Sequence, residues 1–153
     1  MKRKLSATSA AREPLATLRP LREGEAEVIA RWYAKATVLA GSPVSLRDLL
    51  DSGSQVLVLT ESRREEPAGL MALSMDDPEP GWATVALLAI SREQLELVAR
   101  AVALLEAAVR LAANHVRAAV PPDVGLALYF WLRLGYRPFV SGKDLWMISN
   151  LEA

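Results

Sequence analysis

Residues 82–90, "WATVALLAI", carry one polar side chain, Thr84, in nine positions. A run of that length and composition reads as a central strand covered on both faces. It is followed by "SREQ" and then by apolar residues at helical spacing. Leu95, Val98, Val102, Leu105, Val109 and Ala112 alternate three and four apart, which aligns them on one buried stripe of a helix over Arg92–Ala112. Leu97, Leu104 and Leu111 widen the stripe, while the pairs Glu96–Arg100 and Glu106–Arg110 fall four apart on the outer side. "HVRAAV" (His115–Val120) then reads as a second strand, ended by two prolines. A strand, a crossover helix and a strand are the ingredients of a parallel βαβ unit. That unit requires helices packed on a sheet.

The flanking segments supply the rest of the sheet. "ATLRPL" (Ala16–Leu21) is a short strand, and "REGEAEVIARWYAKATVLAG" (22–41) reads as one helix, acidic at its start and stopped by Gly41. "SPVSLRDLLDSG" reads as a second, shorter helix with Ser45 as its cap and Gly53 at its end. "QVLVLT" (Gln55–Thr60) and "AGLMALSM" (Ala68–Met75) are strands joined by a charged turn, which predicts an antiparallel pair. "DVGLALYFWLRLGY" is a helix capped by Asp123 and closed near Gly135, and "RPFV" and "DLWMISN" form a final pair around "SGKD". The expectation is a single α/β (α+β) domain over 16–153 with a mixed, mainly antiparallel sheet. Residues 1–15 are expected to form a flexible basic tail.

Composition narrows the function classes. The net charge of the 153 residues is zero, which gives no pull toward nucleic acid or a membrane surface. With no cysteine and one histidine, disulfides, thiolate metal sites and a metal centre are not expected. The most apolar run, Ala99–Ala113, is interrupted by Arg100, Glu106 and Arg110 and is too short to span a bilayer. The N-terminus lacks the apolar core of a secretory signal, so a cytoplasmic protein is expected.

The order of elements, together with "LRPLREGEAEVIARWY", "LALYFWLRLGYRPF" and "DLWMISNL", resembles the GNAT (GCN5-related N-acetyltransferase) family over Ala16–Leu151. In the penultimate segment, Ala127, Trp131 and Leu134-Gly135-Tyr136 stand where the family's signature has Ala, an aromatic and a Leu-Gly-Phe-like ending. The resemblance implies an acetyl- or acyl-CoA site in a V-shaped opening between the strands at Trp82–Ile90 and His115–Val120. It implies that pantetheine pairs with the backbone of Leu88, Ala89 and Ile90, with Arg92 and Gln94 beside the pyrophosphate. An amine, small molecule or protein, would be the acceptor, and homodimers are a further possibility, with "LWMIS" a candidate contact.

Four positions depart from that pattern. The pyrophosphate turn, on Arg92–Leu97 or from Gln94 to Ala99, has leucine where the family uses its central glycine, and a branched side chain obstructs approach to bare N–H groups. Ser91 and Gln94 have instead the spacing of a capping box, and Glu93 and Glu96 would repel a diphosphate. Trp131 occupies the place of the tyrosine that protonates the thiolate; an indole N–H donates a hydrogen bond but is no acid at neutral pH. Tyr129 lies two residues earlier, roughly 200° around the helix, and reads as a packing residue. Val124 replaces a frequent asparagine. The central strand offers only Thr84, so no general base stands on it; His115 reads as an edge residue, and Asp76, Asp77 and Glu79 as a solvated turn. Of Trp32 and Tyr33, adjacent on the first helix, at most one can face an acceptor pocket.

These readings leave an acyl-CoA-dependent N-acyltransferase with a degenerate cofactor site, and no assignable catalytic residue, as one expectation. The alternatives are a catalytically inactive binding or interaction module of the same fold, and a small-molecule binder that uses the cleft for a ligand without a pyrophosphate.

Overall fold

A computed structural model describes residues 16–41, 45–61, 67–96, 98–99, 102, 113–121 and 124–150. In chain order the elements are β1 (Ala16–Pro20), α1 (Ala26–Tyr33), β2 (Thr37–Ala40), α2 (Leu46–Asp51), β3 (Gln55–Glu61), β4 (Pro67–Met75), β5 (Trp82–Ile90), β6 (His115–Ala119), α3 (Gly125–Arg133), β7 (Arg137–Ser141) and β8 (Asp144–Asn150). The strands form one sheet in the order β1-β3-β4-β5-β6-β8-β7, with β2 paired to β5 off this path. Every adjacent pair is antiparallel except β5 and β6. This is the mixed, mainly antiparallel architecture that the family resemblance implies.

The crossover between β5 and β6 opens with a 3₁₀ turn, Arg92–Gln94, and residues 95, 96, 98, 99 and 102 are helical beyond it. Val98 and Val102 are buried against the sheet, with Leu95 and Ala99 packed beside them, as the stripe predicts. The remaining stripe residues, the outward pairs' Arg100, Glu106 and Arg110, the cap Asp123 and the 1–15 tail lie outside the described residues.

Two apolar layers enclose the sheet. Ala83, Val85, Leu88 and Ile90 of β5 face one layer with Val98, Val102, Phe130 and Trp131; Leu87 and Ala89 face the other with Ile29 and Leu49 of α1 and α2. Strict alternation would not put Val85 and Leu87 on opposite sides. A bulge does so: Leu73 stands opposite Val85 and Ala72 opposite Leu87, so Ala86 is one residue too many on β5. The bulge turns the strand, and β5 and β6 are paired only from Trp82↔His115 to Val85↔Ala118. Beyond Val85 they diverge.

Ser45 caps α2 as expected, its Oγ accepting from the Asp48 N–H at 3.1 Å. At the start of α1, the Glu25 carboxylate accepts from the Arg22 N–H at 2.7 Å and from both arms of the Arg19 fork, one at 2.9 Å. The Arg19 bond holds the Glu25 carboxyl below its ordinary range, and Glu25 holds the Arg19 guanidinium above its own.

One reading is corrected. The helix read through to Gly41 ends at Tyr33, where the N–H groups of Ala34, Lys35 and Ala36 turn back on the Ala30, Trp32 and Tyr33 carbonyls. Thr37–Ala40 is a strand. Thr37 and Val38 are β-branched and lose little in extended backbone, and β5 offers them an edge to pair with.

Candidate functional site: the fork between β5 and β6

Where two strands of a sheet part, each leaves a row of N–H and C=O groups facing the gap, and these groups need partners when buried. On the β5 side the gap-facing residues are Leu88–Ile90, all essentially inaccessible to solvent. Their other edge pairs with β4, through Met71↔Leu88, Leu70↔Ala89 and Gly69↔Ile90. The gap-facing edge is paired too. Thr37 lies opposite Ile90, Val38 opposite Ala89 and Ala40 opposite Leu88, so β2 is laid antiparallel along the stretch expected to hold pantetheine. At the far end the Gly41 N–H donates to the Ala119 carbonyl of β6 at 2.8 Å. The chain's own backbone thus bridges both arms of the fork.

Gly41 is required by this arrangement. Its φ is +79°, and a Cβ placed there would stand 2.1 Å from the Ala86 carbonyl oxygen, well inside contact distance. The same bulge residue that parts β5 from β6 therefore receives the turn that leaves β2.

β2 carries its own irregularity between Val38 and Ala40, which takes Leu39 out of the ladder. Leu39 and Ala40 are both 0% exposed, so the unladdered Leu39 carbonyl must find another donor. Trp131 Nε1 supplies it at 2.8 Å. Trp131 is also 0% exposed and packs edge-on to Phe130 and tilted against Tyr136, with ring centroids 5.2 and 4.8 Å away. The residue at the position of the family's thiolate acid is thus committed, as a hydrogen-bond donor, to a main-chain oxygen of β2. Tyr129 is 53% exposed beside Arg133, on the outer side of α3, as its helical offset predicts.

The start of the crossover helix differs from expectation in one respect. Ser91 makes no capping bond. Its Oγ accepts from Trp32 Nε1 at 2.8 Å and reaches the Pro67 carbonyl at 3.5 Å, while its N–H donates to Ala68. Trp32 is half-buried in the α1 layer, and its indole N–H engages the Ser91 hydroxyl in place of a local cap. Arg92 and Glu93 are exposed on the 3₁₀ turn, beside each other and of opposite charge. Leu95 is packed on the core. Gln94 lies in the same turn.

As arranged, these residues do not fit a pantetheine arm. The backbone of Leu88–Ile90 is paired on both sides, Leu39 and Ala40 fill the space between, and the Trp131 donor is used. A CoA molecule would need β2 to leave. Sequence reading missed Leu39, Ala40 and Gly41 as parts of this region; the one available signal was the β-branched pair Thr37-Val38 before a glycine.

At the closed end of the fork, Thr84 takes part in a relay. Arg117 Nε donates to Thr84 Oγ1 at 2.8 Å, and Thr84 Oγ1 donates to the Asp77 carbonyl at 2.8 Å. His115 stacks on Trp82 with centroids 4.6 Å apart. Asp77 belongs to the β4–β5 turn, and its carboxylate stands 3.8 Å from the Arg117 guanidinium. Among the described residues no group of three or more His, Asp or Glu side chains converges as a metal site would, and no helix is long and apolar enough to cross a membrane.

No protein-family model matches the sequence, and no curated protein matches it. Solved structures do match by shape. An acetyltransferase from Thermus thermophilus is similar at 20% identity, over 90% of this chain and 97% of that one, with a TM-score of 0.69. A GCN5-related N-acetyltransferase from Kribbella flavida is similar at 16% identity, over 89% and 98% of the two chains, with a TM-score of 0.61. An aminoglycoside acetyltransferase in complex with coenzyme A is similar at 14% identity, over 90% and 95%, with a TM-score of 0.62. The fold is that of the GNAT acetyltransferases.

Proposed function

We propose that this GNAT-fold chain works as a non-catalytic binding module whose cofactor channel is permanently taken by β2. The observation that carries the reading is the double pairing of Leu88–Ile90. The edge on which the fold's cofactor would lie is already satisfied by Thr37–Ala40. Three further features support it. Trp131 replaces a proton donor with a residue that has no acid chemistry at neutral pH and spends its N–H on Leu39. The turn at Arg92–Leu97 holds no glycine, so a phosphate would meet side chains before amides. The gap-facing residues are closed to solvent.

A second reading, an N-acyltransferase in which β2 is a gate, has one observation in its favour. β2 is four residues long, with a register break at Leu39, and a short broken ladder is the kind of element that opens locally. On this reading Leu88, Ala89 and Ile90 pair with pantetheine after β2 leaves, and Arg92 and Gln94 meet the pyrophosphate.

Calorimetric titration and thermal shift with CoA and acetyl-CoA separate the two, because a ligand held only by the native state raises its apparent stability. The module reading expects no heat and no shift at millimolar ligand, in the native chain and in a Gly41→Ala variant that disfavours β2 docking. The gate reading expects binding in Gly41→Ala that is weak or absent in the native chain, and loses force if Arg92→Ala in that background binds equally well. Tight binding by the native chain overturns the module reading.

A further inference from the structure

We propose that the open sheet face around Arg117 is a binding site for a small planar aromatic carboxylate, independent of whatever the fork holds. The register sets Thr84 beside Arg117 and Arg117 beside Ile148, with Trp146 opposite Phe139 one row further. Residues paired in this way share a face. On it, Trp82, His115, Trp146 and Ile148 are half-buried and Phe139 is 55% exposed. The result is an aromatic wall on each side of Arg117, with a second guanidinium, that of Arg137, in the same row beyond Ile148.

The Arg117 guanidinium is held in a fixed pose. Its Nε edge is anchored on Thr84, which is 6% exposed and itself tied to the Asp77 carbonyl. Its Cζ lies over the Trp146 ring, 4.0 Å from the centroid, a cation–π contact. Among the described residues Arg117 makes that one hydrogen bond. Among the described residues its outer edge meets only the Asp77 carboxylate, at 3.8 Å, beyond hydrogen-bond range and 46% exposed. Such a pair contributes little and is readily exchanged. A guanidinium with one edge fixed, one face over an aromatic ring and its outer edge without a hydrogen bond is preorganised for a coplanar, two-point carboxylate. A carboxylate so held lies in the guanidinium plane. A ring attached to it has the Trp146 and Phe139 side chains on the same face to pack against, which is why the ligand is aromatic as well as anionic.

Indole N–H resonances in a ¹H–¹⁵N spectrum test this, since Trp82 and Trp146 flank the site whereas Trp131 is buried in the fork. Titration with sodium benzoate is expected to shift the Trp146 resonance saturably and leave that of Trp131 in place. Benzamide, which lacks the charge, and cyclohexanecarboxylate, whose ring is saturated and puckered, are each expected to bind at least tenfold more weakly. Arg117→Met should abolish the shift and Arg117→Lys should weaken it about tenfold, since it keeps the charge and loses the fork. Thr84→Val should weaken binding severalfold and Thr84→Ser restore it, a rescue that general loss of packing would not give. Benzoate binding that survives Arg117→Met in a folded variant, equal binding of benzamide or cyclohexanecarboxylate, or no shift at Trp146 would each overturn the proposal.

Discussion

Replacing Gly41 by alanine probes the docking of β2 against an internal control. Gly24 and Gly41 both sit at positive φ, +85° and +79°. A side chain in that region costs about 1–2 kcal/mol for backbone reasons alone, and this cost is common to both sites. The surroundings differ. Nothing lies within 4 Å of a Cβ on Gly24, whereas a Cβ on Gly41 meets Ala86 O at 2.1 Å, with Ala86 C at 3.0 Å behind it. Both obstructing atoms are backbone, so no side chain can swing aside. Forcing a methyl group into packed structure adds about 1–3 kcal/mol. At roughly 2–4 °C per kcal/mol for a domain of this size, Gly41→Ala should melt about 2–12 °C below Gly24→Ala. Differential scanning calorimetry of the two variants and the native chain gives the comparison directly. Equal melting temperatures for the two variants would refute the reasoning, because they would mean that β2 does not press on the β5 bulge at Ala86.

Trp131→Phe should cost about 1–3 kcal/mol beyond its lost packing, since it leaves the buried Leu39 carbonyl unpaired; urea denaturation measures this. Leu39→Ala empties a fully buried position and should cost about 2–4 kcal/mol, read by the same assay. Glu25 has its carboxyl depressed by the Arg19 hydrogen bond. Its contribution is therefore complete above the ordinary carboxylate value near 4.5 and is lost as pH falls through the lower folded value. A Glu25→Gln variant should accordingly be less stable than the native chain at pH 6, and the difference should shrink steadily as the pH is lowered toward 3. A gap that persists unchanged at pH 3 would remove the ion pair as its cause.

The fold was readable because its largest elements carry unambiguous periods. β5 is apolar at eight of nine positions, and Leu95, Val98 and Val102 turn inward as their spacing requires. β2 was not readable for the same reason. Ala36 and Ala40 continue the spacing of Ile29, Trp32 and Tyr33, so Thr37–Ala40 satisfies a helical stripe as well as a strand. What decides between them is the vacant edge of β5, which exists only once the bulge at Ala86 has formed. In the fork, the replacement of a tyrosine by Trp131 was visible in the sequence, and so was the missing glycine near Arg92. The partner of Trp131 was not, because a main-chain carbonyl such as that of Leu39 leaves no mark in residue identity. Ser91 shows the converse. Its spacing to Gln94 suggested a local cap, but a contact with Trp32, 59 residues away in sequence, took the hydroxyl. The Arg117–Thr84 bond likewise follows from the parallel register of two strands 33 residues apart.

A forked sheet is a natural place for a domain to breathe, since its two arms can swing about the point where they meet. Here a cross-tie runs from Ile90 through Thr37–Ala40 to Ala119, and it turns the fork into a closed frame. Motions of the arms become coupled, and stiffness at one end is felt at the other. Amide hydrogens along Leu88–Ile90 should then rank among the slowest in the molecule to exchange with solvent, and their protection would act as a gauge of how firmly the frame is shut.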